Sequence, residues 1–290
     1  MDRMTDLLLS TARLPLGNKR IVITAPRPYA GRLATAIIQQ GGLPIVMPTI
    51  ETYALDPAPD LDHALQQLRD FSWVAFTSRT GIQAVMLRLQ QLDIPLFLLN
   101  QCHICAIGQD ADQLQTLGVR VDLIPKESSP AGLVAELAQI PDIDTRRIFV
   151  PIPQVERIPE PDIVPKFLAD LEQLGLTVVS VPAYVTRRLE ATAYAVEVEQ
   201  IRQGKVDAIA FSSTAEISAL LQMVDAETLM KHCVIACFGP YTAGNAKDLG
   251  LSVDIVSQDF SSFTGFTAAI AQFFHPASAD IPRQDPVILP

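Results

Sequence analysis

The sequence predicts an α/β protein made of two similar, doubly wound parallel-sheet domains that are joined by a two-stranded linker and arose by internal duplication. Three observations support this prediction. Short apolar runs alternate with helical segments, and the second half of the chain repeats the pattern of the first half. Two long proline-containing stretches also lie where the chain would cross between domains.

The predicted strands are short apolar runs that alternate with amphipathic helical segments of about 10 to 15 residues. Strands buried on both faces of a parallel sheet are expected to be nearly continuous in Val, Ile, Leu, Ala and Phe. Four runs fit this composition: "WVAF" from Trp73, "ICAI" from Ile104, "AIAF" from Ala208 and "IACF" from Ile235. The alternation is typical of βαβ units and predicts sheets covered by helices on both faces.

The second half of the chain repeats the first half. "WVAFTSRTG" corresponds to "AIAFSSTAE", and "LGVRVDLIP" from Leu117 corresponds to "LGLSVDIVS" from Leu249. In addition, "SSPAGLVAEL" matches "SSFTGFTAAI", and "IVITAPRP" from Ile21 resembles "IFVPIPQ" from Ile148. Because the spacing between partners stays nearly constant, the ordered chain is predicted to be one α/β unit duplicated.

Two extended stretches are predicted to link the domains. "GLPIVMPTIETYAL" from Gly42 and "GLTVVSVPAYVTRRL" from Gly175 each carry a proline near the middle, and proline is confined to edges and bulges of sheets. If both stretches cross, one domain comprises residues 18–44 and 188–275, and the other comprises residues 54–176. The remaining predicted parts are linker strands at 45–53 and 177–187 and flexible termini at 1–17 and 276–290.

Composition and charge argue against several classes of function. The 290 residues are 49% apolar and 19% charged, as in compact domains, and the formal net charge is -10. An acidic chain without Lys/Arg clusters argues against binding of nucleic acid or of an anionic membrane surface. No run approaches the roughly 20 apolar residues of a membrane-spanning helix, and no leader peptide is recognised, so a cytoplasmic location is expected.

The sequence lacks common catalytic and metal-binding motifs. It has no phosphate-binding loop, no dinucleotide fingerprint and no G-x-S-x-G nucleophile elbow. The four histidines have no metal-ligand spacing, and His103 is predicted to be a core residue because it alternates with apolar residues. Cys102 and Cys105 form a C-x-x-C, but the apolar run around them favours buried thiols over redox or zinc chemistry.

The loops that follow the predicted strands are small, hydroxylated, rich in Gly and Pro, and lead into helices. Helix N-termini present unpaired N–H groups and a partial positive charge, which suit carboxylates or phosphates. Ser and Thr are also preferred helix caps, so capping alone explains any single loop. Several such loops from two domains that face one cleft favour an anionic ligand instead.

Four stretches resemble the uroporphyrinogen-III synthase family: "WVAFTSRTGIQAV", "DAIAFSSTAEI", "VIACFGPYTAGNAKDLGL" and "VPAYVTRR". They occur in the family's order within about residues 18–275. The resemblance implies two flavodoxin-like domains with the active site in the cleft between them, no metal and no organic cofactor. It also implies a linear tetrapyrrole polycarboxylate, hydroxymethylbilane, as substrate. We expect the enzyme to be a monomer.

The implied reaction is that of a lyase in tetrapyrrole biosynthesis, which closes hydroxymethylbilane to uroporphyrinogen III with inversion of ring D and loss of water. Loss of the ring-A hydroxyl gives an azafulvene cation, and the substituted position of ring D attacks this cation to form a spiro intermediate. Fragmentation and re-closure then invert ring D. Such chemistry requires the protein to fold a flexible substrate and to assist the departing hydroxyl.

The resemblance identifies Tyr184 in "PAYVTRR" as the catalytic residue, which donates a hydrogen bond to the leaving oxygen; the alternative role is packing within the linker. Because the protein is acidic, local N–H and hydroxyl groups rather than long-range attraction must hold the substrate's carboxylates. The predicted substrate-binding residues are Thr24, Arg27, Thr77, Ser78, Ser212, Ser213, Gly239 and Thr242. Further cations near these loops are Arg79, Lys126 and Arg187.

The sequence departs from the family's pattern in two places. "GQDAD" has Ala111 where a threonine often stands in the family, and Asp110 would repel a carboxylate if it faced the cleft. The proline-rich insert "PQVERIPEPDIVP", residues 153–165, replaces a shorter glycine-bearing loop and is predicted to be a solvated loop. A non-catalytic, two-lobed sensor or binding protein for an anionic small molecule is the alternative function.

Overall fold

The computed structural model describes residues 14–108, 110–159, 162–259 and 262–275, which form two five-stranded sheets with helices around them. In chain order the strands are β1 (Arg20–Ile23), β2 (Leu43–Val46), β3 (Ile50–Ala54), β4 (Trp73–Phe76), β5 (His103–Ala106), β6 (Arg147–Glu156), β7 (Thr177–Arg188), β8 (Ala208–Phe211), β9 (Val234–Cys237) and β10 (Ile255–Val256).

The α-helices are α1 (Arg27–Gln39), α2 (Pro59–Gln66), α3 (Arg79–Gln91), α4 (Leu96–Leu99), α5 (Asp110–Thr116), α6 (Pro130–Leu137), α7 (Ile163–Gln173), α8 (Ala195–Arg202), α9 (Thr214–Leu221), α10 (Ala226–His232), α11 (Pro240–Asp248) and α12 (Phe263–Phe274). Short 3-10 helices occupy Leu68–Asp70, Ile143–Thr145 and Ala191–Tyr194. The alternation of strands and helices confirms the predicted α/β class.

The first sheet has the strand order β10-β9-β8-β1-β2, and every neighbouring pair is parallel. Numbered within this unit, the order is 2-1-3-4-5, which is the flavodoxin-like arrangement. From β1 the chain first adds β2 on one side of β1 and later adds β8 on the other side, so the strand order switches direction between β1 and β8. Ligands of doubly wound sheets bind beyond the carboxyl ends of the strands at such a switch point.

The second sheet has the order β3-β7-β6-β4-β5, with β3 antiparallel to β7 and the other pairs parallel. A parallel bridge between Cys105 and Leu123 takes the place that β10 has in the first sheet. Strands β6, β7, β4 and β5 therefore correspond to β1, β2, β8 and β9. This correspondence confirms the duplication, and it shows that the second unit is circularly permuted relative to the first.

Both sheets are buried on their two faces, as the apolar strand composition predicts. All four residues of β4 and all four of β8 are buried. In the first sheet Val22 and Ile209 pack into one core cluster, whereas Ile21 and Ala208 pack into another cluster on the opposite face. Each sheet therefore needs helices on both sides, which explains the doubly wound arrangement.

The chain passes between the sheets near Thr49 and near Leu189. The Thr49 N–H donates to the carbonyl of Thr24, which directly follows β1, and the Leu189 N–H donates to the Thr49 carbonyl. Strand β3 pairs with the last five residues of β7, whose other edge pairs with β6 from Thr177 to Arg187. Strand β2 belongs to the first sheet, so the predicted linker at 45–53 begins inside it. The division into two independent domains stays a prediction.

The proline-rich insert differs from the predicted solvated loop over its first part. Strand β6 continues through Glu156 and pairs with β7 up to Arg187. Prolines are accommodated because β6 pairs with β4 only through Ile148 and Phe149, which leaves the far part of β6 without a partner on that edge. The structure describes the rest of the insert except for residues 160 and 161.

Several smaller predictions also have outcomes. His103 is exposed at the start of β5 and stacks on Trp73, so its assignment to the core is wrong. Cys102 and Cys105 are buried free thiols, as predicted, and Cys233 and Cys237 are buried free thiols as well. Leu16 is fully buried, so residues 14–17 are part of the fold; residues 1–13 and 276–290 lie outside the described ranges. No helix within those ranges has the length and apolarity to cross a bilayer.

Candidate active site

A large cleft lies between the loops that follow the strands of the two sheets. Its main cavity has a volume of about 1060 Å³ and opens beside a smaller cavity of about 390 Å³. The two cavities share five lining residues and therefore form one continuous site: Tyr29, Arg79, Ser212, Tyr241 and Thr242. These residues come from both sheet units, at the switch points where α/β proteins bind ligands.

Tyr184 and Ser78 form a hydrogen-bonded pair in the smaller cavity. The Ser78 hydroxyl donates to the Tyr184 hydroxyl oxygen at 2.8 Å and accepts the Gly81 N–H at 3.1 Å, capping α3. Since Ser78 supplies the proton of this bond, the Tyr184 proton is left for a ligand. Burial raises the pKa of Tyr184 to about 12, so its phenol is a hydrogen-bond donor at neutral pH.

A β-bulge sets the position of Tyr184. In the β6–β7 ladder Ile152 faces Pro182 and Pro153 faces Tyr184, so Ala183 is an extra residue on β7. A bulge of this kind turns the following side chain relative to a regular strand, and bulges are common beside active sites. Here it places the ring of Tyr184 over the start of α3.

Gly81 permits the close approach of that ring. A methyl group at Gly81 would lie 3.1 Å from Ser78 Oγ and 3.4 Å from Tyr184 Cε1. The distance to Ser78 Oγ is shorter than an ordinary contact, and the distance to Tyr184 Cε1 is at the short end of ordinary van der Waals contact. The glycine of "TSRTG" therefore has a structural role in the Ser78–Tyr184 pair.

Glu216 organises the corresponding loop of the first sheet. Its buried carboxylate accepts hydrogen bonds from the Thr24 hydroxyl at 2.7 Å, the Ser212 N–H at 2.9 Å and the Ser213 hydroxyl at 3.0 Å. The Ser212 hydroxyl also donates to it. Burial raises the pKa of Glu216, and the hydrogen bonds oppose that rise. The sequence signal was the S-x-x-E pattern of a capping box at Ser213.

This network changes the roles open to the predicted hydroxyls. Ser212 and Ser213 line the smaller cavity, but each donates its single hydroxyl proton in a hydrogen bond to Glu216. Thr24 is fully buried and bonded to Glu216 and to the Ala210 carbonyl, so its predicted contact with substrate is wrong in this conformation. The hydroxyls of this loop and the Ser212 N–H therefore bind Glu216 rather than a ligand.

Helix N-termini around the cleft fall into two groups. Ser78, Ser129 and Ser262 cap α3, α6 and α12 with their side chains. Within the described chain, α11 begins without a side-chain cap, after Gly239. Its first-turn residues Tyr241 and Thr242 line both cavities. The amide groups of α11 are therefore available to an anion, as the helix dipole favours.

The charges in the main cavity are mixed. Arg79 and Arg32 supply positive charge, and Arg32 also stacks on the rings of Tyr29 and Phe263. Arg32 is absent from the sequence-predicted set, although it follows Tyr29 by three positions and so shares its helix face. Three acidic side chains also line this cavity: Asp110, Asp112 and Glu127.

Asp110 faces the cleft, where the sequence indicates that it would repel a carboxylate. Its own carboxylate lies 3.8 Å from Arg79 Nε. Burial raises the pKa of Asp110 to about 6, and the neighbouring Arg79 charge partly opposes this rise. Near neutral pH Asp110 is therefore ionised and competes with a substrate carboxylate for Arg79.

The other predicted cations lie elsewhere. Arg187 pairs with Glu51 within the β3–β7 ladder. Lys126 is almost fully exposed and 3.9 Å from Glu136. Arg27 is exposed at the first position of α1. The cleft thus brings together Thr77, Ser78, Tyr184, Ser212, Ser213, Gly239 and Thr242 of the predicted set, whose contacts with substrate stay predictions.

The sequence matches a known protein family. A family model described as "Uroporphyrinogen-III synthase HemD" matches residues 31–264, which is most of the chain and includes every strand of the two sheets except β1. The chain belongs to the uroporphyrinogen-III synthase family. This membership confirms the resemblance that the four sequence stretches carried.

Individual relatives agree with the family assignment. A uroporphyrinogen-III synthase of Synechococcus elongatus is 28% identical over 274 residues, covering 90% of this chain and 98% of the relative. The crystal structure of a mutant uroporphyrinogen III synthase of Thermus thermophilus has a TM-score of 0.64 at 19% identity and covers 88% and 99% of the two chains. The enzyme of Helicobacter pylori has a TM-score of 0.51 at 15% identity, with the same coverage. These structural likenesses concern the fold.

We expect Gly81→Ala to disturb the Ser78–Tyr184 pair. An alanine inside a helix normally gains about 1 kcal/mol over glycine, but the new methyl group would crowd Ser78 Oγ and touch the Tyr184 ring. Gly31→Ala in α1 is the control, because nothing lies within 4 Å of its methyl position. Urea unfolding should show the Gly31 variant stabilised and the Gly81 variant not; equal stabilisation of both would contradict the close approach.

We expect Asp110→Asn to stabilise the protein increasingly between about pH 4 and pH 6. The ordinary pKa is 3.8 and the folded pKa is about 6, so the unfolded chain releases this proton at a lower pH than the folded protein does. The free energy of unfolding of the natural protein therefore falls as the pH rises through this interval. The advantage of asparagine should grow by at most about 1.4 kcal/mol per pH unit and level off above pH 6. Denaturant unfolding of both proteins across this range measures it. An advantage that is the same at pH 4 and pH 7 would refute the assignment.

Proposed function

We propose that this chain is a uroporphyrinogen-III synthase, a lyase that closes hydroxymethylbilane with inversion of ring D and loss of water. Membership of the family supports the reaction. The observation that carries the proposal is the phenol of Tyr184, which stands in the cleft between the two sheets with its proton free to donate. The coarser statement, an enzyme that acts on a small tetrapyrrole substrate, follows from the family.

In the proposed mechanism Tyr184 assists the departure of the ring-A hydroxyl. Hydroxide is a poor leaving group, and a hydrogen bond that strengthens as negative charge develops on oxygen lowers the barrier. Ser78 orients the phenol by donating to its oxygen. Since the pKa of Tyr184 is raised to about 12, the phenol donates a hydrogen bond through the neutral range without acting as a base.

The substrate's carboxylates are proposed to bind in the main cavity. The amides at the start of α11 and the guanidinium groups of Arg32 and Arg79 supply the donors there. Gly239 keeps the entry to α11 free of a side chain. Ser212 and Ser213 line the cavity without offering their hydroxyls, because Glu216 accepts both hydroxyl protons and the Ser212 N–H as well.

The cleft is proposed to select the isomer by geometry. Ring D can react at its unsubstituted position to give the type I isomer or at its substituted position to give type III. Loops from both sheets face one cleft, so the two ends of the substrate can be held together with the substituted carbon next to the cation. Fixing two reacting groups in one orientation is worth several orders of magnitude in rate, which is enough to decide between the two outcomes.

The alternative function, a non-catalytic sensor or binding protein, is not favoured by the family assignment. A hydrogen-bonded tyrosine presented on a bulge suits chemistry better than simple binding. A monomeric state and a cytoplasmic location stay predictions of this proposal.

The proposal is tested by incubating the protein with enzymatically generated hydroxymethylbilane and resolving the oxidised product isomers. We expect uroporphyrin III in excess over the type I isomer that forms spontaneously. Type I alone, in the same amount as without protein, would overturn the proposed function.

We expect Tyr184→Phe to lower turnover severalfold while the protein stays folded. The phenylalanine keeps the ring and loses the Ser78 hydrogen bond, which costs about 1 kcal/mol of stability. Tyr53→Phe is the matched control, because Tyr53 lies on the adjacent strand and is 41% exposed. Rates of type III formation should fall for the Tyr184 variant alone; unchanged turnover would remove Tyr184 from the mechanism.

A further inference from the structure

The smaller cavity differs in character from the main one. Apart from the Ser78–Tyr184 pair and the Ser212–Glu216 loop, much of its wall is aliphatic. Arg79 and Glu216 are the charged residues in its described lining, and the Glu216 carboxylate is occupied by internal hydrogen bonds. Its volume of about 390 Å³ is near the lower end of typical small-ligand pockets. The cavity therefore suits pyrrole rings better than their carboxylate arms.

Much of this aliphatic wall comes from the proline-rich insert. Pro153 and Val155 at the end of β6, then Ile158, and finally Ile163 and Val164 at the start of α7 all line the cavity. The sequence alone predicts a solvated loop here. The apolar residues of the insert instead face the same space as the phenol of Tyr184.

The insert is held in place by contacts with both sheet units. Ile158 is 8% exposed and packs with Ile50 of β3 and Ala219 of α9. Arg157 donates to the Glu190 carboxylate at 2.6 Å, and the Arg188 side chain donates to the Arg157 carbonyl at 3.0 Å. The part of the wall around Arg157 and Ile158 is therefore packed against both sheet units and is not a solvated loop.

The chemistry next to this wall produces a cation that water can capture. The carbon–oxygen bond of the hydroxymethyl group breaks, the oxygen leaves with the electron pair and takes up a proton, and water departs. The remaining azafulvene cation reacts at its methylene carbon. Attack by the ring-D carbon forms the new carbon–carbon bond, whereas attack by water forms a carbon–oxygen bond and, after proton loss, returns the substrate.

We propose that Ile163 and Val164 are specificity-determining residues that keep water away from the cation while ring D attacks. This inference rests on the proposed function and extends it to residues of the insert. Closing an apolar wall over a reacting centre removes competing water. Capture by water regenerates the substrate and so does not change the product, but the regenerated hydroxymethyl group carries an oxygen atom from the solvent.

The test is the exchange of substrate oxygen with solvent. The full-length protein is incubated with hydroxymethylbilane in water enriched in oxygen-18 and quenched in alkali before the substrate is exhausted. Mass spectrometry then measures the label in recovered substrate per molecule of type III product, after subtraction of the exchange without protein. Ile163→Ser and Val164→Ser place a hydroxyl in the wall at half-buried positions, which limits their effect on folding.

We expect both serine variants to raise the label per turnover several-fold over the natural protein, while Ile163→Leu leaves it unchanged. Val196→Ser is the control for loss of an aliphatic side chain, because Val196 is 66% exposed on α8. A ratio in the serine variants equal to that of the natural protein, or an equal rise in the Val196 variant, would overturn the inference.

The two proposals fail in different ways. If the natural protein forms no type III isomer, the proposed function is wrong. If the natural protein and the serine variants form type III isomer with the same label in recovered substrate, the function stands and the role of Ile163 and Val164 is wrong. Circular dichroism of each variant ensures that the comparison concerns folded protein.

Discussion

The antiparallel ladder between β3 and the end of β7 is the constraint on which the cleft depends. Ile50–Ala54 pairs with Tyr184–Arg188, and the chain leaves for the first sheet from this ladder through Thr49 and Leu189. Because both crossings are bonded to each other, the loops beyond β4 and β5 lie opposite those beyond β8 and β9. The same ladder carries Tyr184, so the pairing that forms the cleft also places the phenol within it.

Several polar side chains in the cleft already form hydrogen bonds within the protein, so those groups are not free to bind a ligand. Ser78 caps a helix and orients Tyr184, while Ser212 and Ser213 donate to Glu216. A buried carboxylate is costly unless it is fully hydrogen-bonded, and Glu216 meets that requirement with these hydroxyls. The donors left for a polycarboxylate include backbone amides, a few arginines and the hydroxyls of Thr77 and Thr242, which is consistent with binding by an acidic protein without long-range attraction.

Features that depend on local composition or on an internal repeat could be predicted from the sequence. Apolar runs such as "AIAF" predict strands because burial on both faces tolerates nothing else, and the strands of both sheets appear where expected. Tyr184 came from the resemblance, and the cleft contains it. Thr24 differs from the expectation that a hydroxyl at a strand end faces the cleft, because its hydroxyl bonds to Glu216. The insert also differs from the predicted solvated loop, because its apolar residues form a wall.

The sequence by itself determined the α/β class, the duplication and the family, because repeated local patterns and burial requirements can be read along the chain. Only the tertiary structure decided the permuted strand order, the bulge at Ala183 and the network around Glu216. The physical reason is that a side chain's role in a cleft depends on partners distant in sequence. Ser78 and Tyr184, which are 106 positions apart, become a pair only when β7 lies beside the start of α3.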